Sequence, residues 1–319
     1  MWHAVKERVE LRQRVLLGGL AQEVLIRGAD AGNPLLLILH GGPGFAEMPL
    51  FTAYNADLEQ HFLVAHWDQR GAGRSYASDI PAESMTLRQF IADAGELIDW
   101  LTERFAQDKV FLLGHSWGSL VGAMLASERP AKLHAFVGVG QLVAGMRNEQ
   151  ASYAFTLRRA IERQNSEAIS ALRAIEDRYT PSGGLTFADL VVQRAWLDRF
   201  GGTVNGDTAA LFNRVVQELR HEYFGDLSTL AQEFSFGCLL PDILAADLDR
   251  TARTFDIPVY IVVGRHDQNT PAELAVEYFD VIEAPVKELH WFEQSAHLMP
   301  FEEPAKFNAL LTDTVLARR

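Results

Sequence analysis

Short, continuous apolar runs punctuate the chain at residues 35–39, 62–66, 110–113, 135–139 and 259–263. Each is rich in Val, Leu, Ile or Phe, and most end at Gly or His. An uninterrupted apolar run suits a strand covered on both faces, and such strands belong to parallel sheets. A further plausible strand lies at 288–292. Between the runs the period changes. Residues 87–105 carry Phe90, Ile91, Ala94, Leu97, Ile98 and Leu101 at helical spacing, and a second helix-like stretch, 119–128, follows the third run directly. Strands alternating with helices predict an α/β fold with a mostly parallel sheet.

The alternation stops near Val143 and resumes near Arg253. Within that interval Tyr153, Leu157 and Ile161 share one helical face, and Leu190, Val191, Arg194 and Ala195 mark another helix. Thr186 and Asp189 have the spacing of a helix cap and its reciprocal partner, and Gly201–Gly202 would end that helix. A helical block at 143–252 is therefore expected to interrupt a core formed by 1–142 and 253–319. Pro258 then suits the first position of a renewed strand.

Composition narrows the class. Of 319 residues, 48% are hydrophobic and 22% charged, which fits a soluble globular chain. The net charge is −13, which argues against a phosphate-binding surface and hence against a nucleic-acid partner. The longest apolar run is far too short to span a bilayer, and the charged first ten residues carry no secretory pattern. Cys238 has no second cysteine to pair with and sits in an apolar stretch, so it reads as core in a reducing compartment. The expectation is a cytoplasmic protein without membrane partner. No Walker sequence, no H-E-x-x-H and no cysteine pair is present, so no metal or cofactor is expected.

The chemistry centres on Gly114-His115-Ser116-Trp117-Gly118, a G-x-S-x-G between an expected strand and an expected helix. There a serine occupies a tight turn that lifts its hydroxyl above the sheet edge, and flanking side chains would clash. Such a nucleophile needs a base, and the base an orienting acid, in the order Ser, acid, His. Asp267 ends the run 259–263, and His297 follows the strand 288–292. His266 adjoins Asp267 and would point away from it, His290 lies inside a strand, and His115 is held too close to the serine to be its base. Asp242, Asp247 and Asp249 are rival acids, but they fall in the helical block. His40-Gly41-Gly42-Pro43-Gly44 follows the first long strand. Its glycines allow close approach to a carbonyl, so the backbone N–H of Gly42, with that of Trp117, is the expected oxyanion hole. The stretch Asp68 to Ser75 contains G-x-G without a following helix, and is not a nucleotide fingerprint.

Together HGGPG at 40–44, DQRGAGRS at 68–75, HSWGS at 115–119 and the segments around Asp267 and His297 resemble the proline iminopeptidases. The resemblance covers the α/β core and implies an α/β-hydrolase fold. It implies the same triad of Ser116, Asp267 and His297, with the helical block as a cap inserted after the sixth strand. It also implies cap glutamates that hold a substrate's amino terminus. In those positions this chain has Gly201 and Arg220, with Glu218 and Glu222 nearby. An ammonium facing an arginine is disfavoured, so a small ester or amide is the expected substrate, bound by cap residues Trp196, Phe200, Arg220 and Glu222. Release of N-terminal residues from a short peptide is the alternative within this class. An idle, hydrolase-like binding protein is the alternative outside it.

Overall fold

The computed structural model describes residues 7–223 and 225–318, with the side chains at 214 and 216–222 outside that description. Its centre is an eight-stranded sheet in the order β1-β2-β4-β3-β5-β6-β7-β8. The strands are β1 Val9–Leu17, β2 Leu20–Gly28, β3 Leu35–Leu39, β4 Leu63–Trp67, β5 Val110–His115, β6 Leu133–Val139, β7 Val259–Gly264 and β8 Lys287–Phe292. From β4 across to β8 every pairing is parallel.

The apolar runs are continuous because both faces are buried. Leu35, Leu37 and Leu39 enter one core cluster, and Leu36 and Ile38 the opposite one. Val259, Ile261 and Val263 divide from Tyr260 and Val262 in the same way. Helices cover the sheet: α1 Met48–Tyr54, α2 Leu87–Arg104, α3 Trp117–Glu128 and, late in the chain, α10 Ala272–Val281. On α2, Phe90, Ile91, Ala94, Leu97, Ile98 and Leu101 are all buried, as their spacing requires.

The apolar runs gave no sign of β1 and β2. They form an antiparallel hairpin at the sheet edge, closed by Gly18 and Gly19 at φ +52° and +77°. Both turn positions need positive φ, which glycine adopts without strain. Only Val15 and Leu17 of β1 are buried, so this strand is half polar and carries no continuous run.

Between β6 and β7 lie the helices α4 Gly145–Glu162, α5 Ser166–Arg173, α6 Phe187–Arg199, α7 Thr208–Tyr223, α8 Asp226–Ala245 and the short α9 Leu248–Thr251. They have an apolar core of their own around Tyr153, Leu157, Leu172, Leu190 and Trp196. The expected cap of α6 is present: Thr186 Oγ1 accepts from the Asp189 amide at 3.3 Å, and Asp189 Oδ2 accepts from the Thr186 amide at 3.0 Å. Gly201 at φ +81° follows its end. A single bridge, Ala144 to Asp247, ties together the two ends of the insertion. Cys238 is partly buried against the main core, with a free thiol.

Candidate active site

Ser116 stands between β5 and α3 at φ 53°, ψ −119°, a conformation that a non-glycine residue holds only under constraint. The constraint is visible. The Ser116 amide donates to Val139 O at 2.9 Å, and Ser119 Oγ donates to Ser116 O at 2.5 Å. A Cβ on Gly118 would stand 2.0 Å from Leu39 O, and one on Gly114 would stand 2.3 Å from Gly118 O. Both glycines of the motif therefore serve close backbone packing.

Asp267 leaves the end of β7 and is 1% exposed. Its Oδ1 accepts from the amides of Asn269 and Thr270, each at 2.9 Å. Its Oδ2 accepts from Thr270 Oγ1 and faces His297 Nδ1, also at 2.9 Å. Nδ1 therefore carries the proton, which leaves the lone pair on Nε2. Thr270 Oγ1 lies 3.1 Å from the same Nδ1 and steadies the ring from a second side. Ser116 and His297 converge on one strand end. Val139 O holds the serine amide, and a Cβ on the next residue, Gly140, would come within 3.0 Å of His297 Cε1.

The HGGPG loop adjoins this point. A Cβ on Gly41 would lie 3.2 Å from Ser116 Cβ. The Gly41 amide donates to Glu47 Oε2 at 2.9 Å, so the next amide, Gly42 at φ +104°, is the candidate donor of this loop. Trp117 opens α3, where the first amides have no partner within the helix.

The rival residues have other partners. His290 pairs with Glu288 at 3.1 Å, and burial holds its pKa below the ordinary value. His266 is exposed. Asp242 accepts from the Leu87 amide at 2.7 Å at the start of α2, Asp249 pairs with Arg147 at 3.5 Å, and Asp247 stands at the start of the short helix α9. Trp196 and Phe200 lie in the core of the helical block, 8% and 7% exposed, with ring centroids 6.0 Å apart. Arg220 and Glu222 belong to α7, but their side chains lie outside the described residues. Among the described residues no cluster of metal-ligating side chains and no membrane-spanning helix occurs.

Residues 34–304 match the family model of the alpha/beta hydrolase fold. The chain belongs to the α/β-hydrolase family. It is thus an enzyme of the hydrolase type. The hydrolase is 31% identical over 310 residues to the probable aminopeptidase YbaC of Bacillus subtilis (strain 168), covering 95% of each chain. It is 23% identical to the proline iminopeptidase of Heyndrickxia coagulans, over 89% of this chain and 91% of that one. Its fold is shared by the crystal structure of the proline iminopeptidase of Mycobacterium smegmatis, with TM-score 0.69 and 21% identity, over 97% and 98% of the two chains.

The DQRGAGRS stretch of the hydrolase is scaffolding. Gln69 donates to His40 O at 2.8 Å and accepts from Trp117 Nε1 at 3.0 Å, joining the HGGPG loop to the turn at Ser116. His40 Nε2 accepts from the Gln69 amide at 3.0 Å, and burial lowers its pKa, so this ring is neutral. Arg70, 2% exposed, donates to Asp93, Ser84 Oγ and the carbonyls of Leu17 and Gly18, tying the edge hairpin to α2. Sequence reasoning missed Thr270, Gln69 and Glu47. The spacing of Thr270, three residues after Asp267, was the one local signal.

Proposed function

We propose that the hydrolase cleaves a small ester or amide through an acyl-enzyme on Ser116. The observation that carries this reading is the His297–Asp267 pair beside a constrained serine at the strand end. Ser116 Oγ attacks the substrate carbonyl carbon while His297 Nε2 takes the hydroxyl proton. The carbonyl π pair moves to oxygen, where the amides of Gly42 and Trp117 receive it. Collapse of this intermediate breaks the bond to the leaving group, which takes the proton from His297. Water then attacks the acyl-enzyme by the same route, returning the serine and releasing the acid. Asp267 holds the imidazole in the required tautomer.

We take residues 143–252 as a cap on a core of 1–142 and 253–319. This division is supported by three hydrogen bonds, two between backbones and one from the Asn148 side chain. Thr203 O accepts from the His297 amide at 2.9 Å, Gly202 O accepts from the Gln268 amide at 3.0 Å, and Asn148 donates to Asn269 O at 3.0 Å. Cap loops thereby touch the segments that carry the base and its acid.

A second reading, release of amino-terminal residues from short peptides, is favoured by the full-length relative named a probable aminopeptidase. One cap carboxylate, Glu149, is 5% exposed and already held by Arg194 through two bonds of 2.7 and 2.8 Å. A substrate ammonium would have to compete with that guanidinium.

The test is a panel of short acyl esters and aminoacyl arylamides on purified protein. Ester or simple amide turnover above arylamide turnover supports the first reading, and preference for prolyl or alanyl arylamides supports the second. Ser116→Ala should remove turnover by several orders of magnitude on either. Retention of more than a tenth of it would exclude Ser116 as nucleophile.

A further inference from the structure

One buried charged pair lies against this site without a part in the steps above. Glu47 and His115 are 2% and 1% exposed. Glu47 Oε1 lies 2.8 Å from His115 Nδ1, and Oε2 accepts from the Gly41 amide at 2.9 Å. The other ring nitrogen, Nε2, lies 3.0 Å from the carbonyl oxygen of His297. A carbonyl only accepts, so Nε2 bears a proton, and Nδ1 faces a carboxylate. Both nitrogens meet acceptors, the arrangement of an imidazolium against a carboxylate. The directions of titration agree. Although burial opposes charge on each, Glu47 holds the His115 pKa above its ordinary value, and His115 holds the Glu47 pKa below its own.

The three contacts fall at three separate segments. Gly41 precedes the candidate oxyanion donor Gly42. His115 precedes Ser116. The carbonyl belongs to His297 itself, whose ring centroid is 4.9 Å from that of His115. These segments come from the loop after β3, the end of β5 and the loop after β8. In the sheet, β3 and β8 are not neighbours, because β5, β6 and β7 stand between them.

We propose that Glu47 and His115 are positioning residues, a buried ion pair that fixes nucleophile, oxyanion donor and base relative to one another. The proposal rests on the reading of Ser116 as nucleophile. Charge-assisted bonds are shorter and stronger than neutral ones, and a misplacement near 1 Å can cost about a hundredfold in rate. The pair thus supplies rigidity where three loops must agree.

Glu47→Gln keeps all three contacts in neutral form, because the amide oxygen can accept from Gly41 and the amide nitrogen can donate to Nδ1. Glu47→Ala removes the link. The experiment measures kcat and KM on the best substrate of the panel, thermal melting, and the ¹⁵N signals of His115. In the wild type both ring nitrogens should show imidazolium shifts near pH 8, and in Glu47→Gln one should become a neutral acceptor. Glu47→Gln should melt near the wild type with kcat lowered about tenfold. Glu47→Ala and His115→Ala should lose about a hundredfold in kcat, with KM changed little. A neutral His115 in the wild type, or a loss expressed in KM alone, would overturn the proposal. So would wild-type kcat in Glu47→Gln together with a folded Glu47→Ala. The two readings fail separately. Full turnover in Ser116→Ala removes the nucleophile whatever Glu47 does, and full turnover in folded Glu47→Ala removes the positioning role whatever Ser116 does.

Discussion

The side chains around His297 divide into those that chain order exposes and those that only folding brings near. Ser116, Asp267 and His297 each follow a strand end, so a strand-by-strand reading can nominate them. Thr270 and Glu47 cannot be found that way. Glu47 meets its partner across 68 positions of chain, and nothing local marks it. Thr270 has a weak local mark, since Asp267 Oδ1 accepts from its amide in a tight turn. Its hydroxyl gives a prediction at this scale. Thr270→Val keeps the shape but deletes the donor to Asp267 Oδ2 and the second neighbour of His297 Nδ1. One lost hydrogen bond to a charged group is worth about 1.5–3 kcal/mol. We expect kcat/KM to fall roughly tenfold or more with little change in KM, as steady-state kinetics on the preferred substrate would show. An unchanged kcat would mean that Asp267 alone orients the ring.

Among the elements, those with uniform burial were the legible ones. The strands β3 to β7 have both faces covered and appear in the sequence as apolar runs, within a residue or two of their observed ends. The hairpin of β1 and β2 was hidden because it is polar on one side and is held by partners remote in sequence, Arg70 above all. The helical block was legible as helices, through caps such as Thr186 with Asp189. Its packing was not, because nothing in helical spacing shows that Trp196 and Phe200 enter one apolar core with Tyr153 and Leu190. Trp196→Ala should therefore act on stability first, costing about 3–5 kcal/mol in chemical denaturation if the block unfolds with the core. A selectivity change without loss of stability would return Trp196 to the substrate pocket. The turn at Ser116 gives a sharper case. Gly118→Ala sets a methyl against Leu39 O, and overpacking of this kind costs about 1–3 kcal/mol. Activity should fall by more than the loss of folded protein explains.

For the molecule as a whole, two carboxyls, buried Asp68 and partly buried Glu302, give stability an unusual pH dependence. Burial pushes Asp68 up to about 7 and Glu302 up to about 7. Glu302 accepts from the amides of Ala296 and Asn205, so it links the His297 loop to a loop between α6 and α7. Between about pH 5 and 7 the folded chain holds protons that the unfolded chain has released. Their stabilising contribution is therefore full only below the unfolded values of 3.8 and 4.5, and is lost progressively as pH rises through about 7. The net charge of −13 acts in the same direction, so the informative quantity is a difference. Denaturation of wild type and of Asp68→Asn/Glu302→Gln at pH 5 and pH 8 should show a flatter profile in the variant, by on the order of 2 kcal/mol. Parallel profiles would mean that both carboxyls are ionised throughout. The central claim, an activated serine served by His297, has a more direct test. Wild-type protein is treated with a small fluorophosphonate and its peptides are analysed by mass spectrometry. The account predicts one stoichiometric adduct on Ser116, absent in Ser116→Ala and slowed at least a hundredfold in His297→Ala. A folded wild-type protein that stays unlabelled, or one whose label persists in Ser116→Ala, would contradict it.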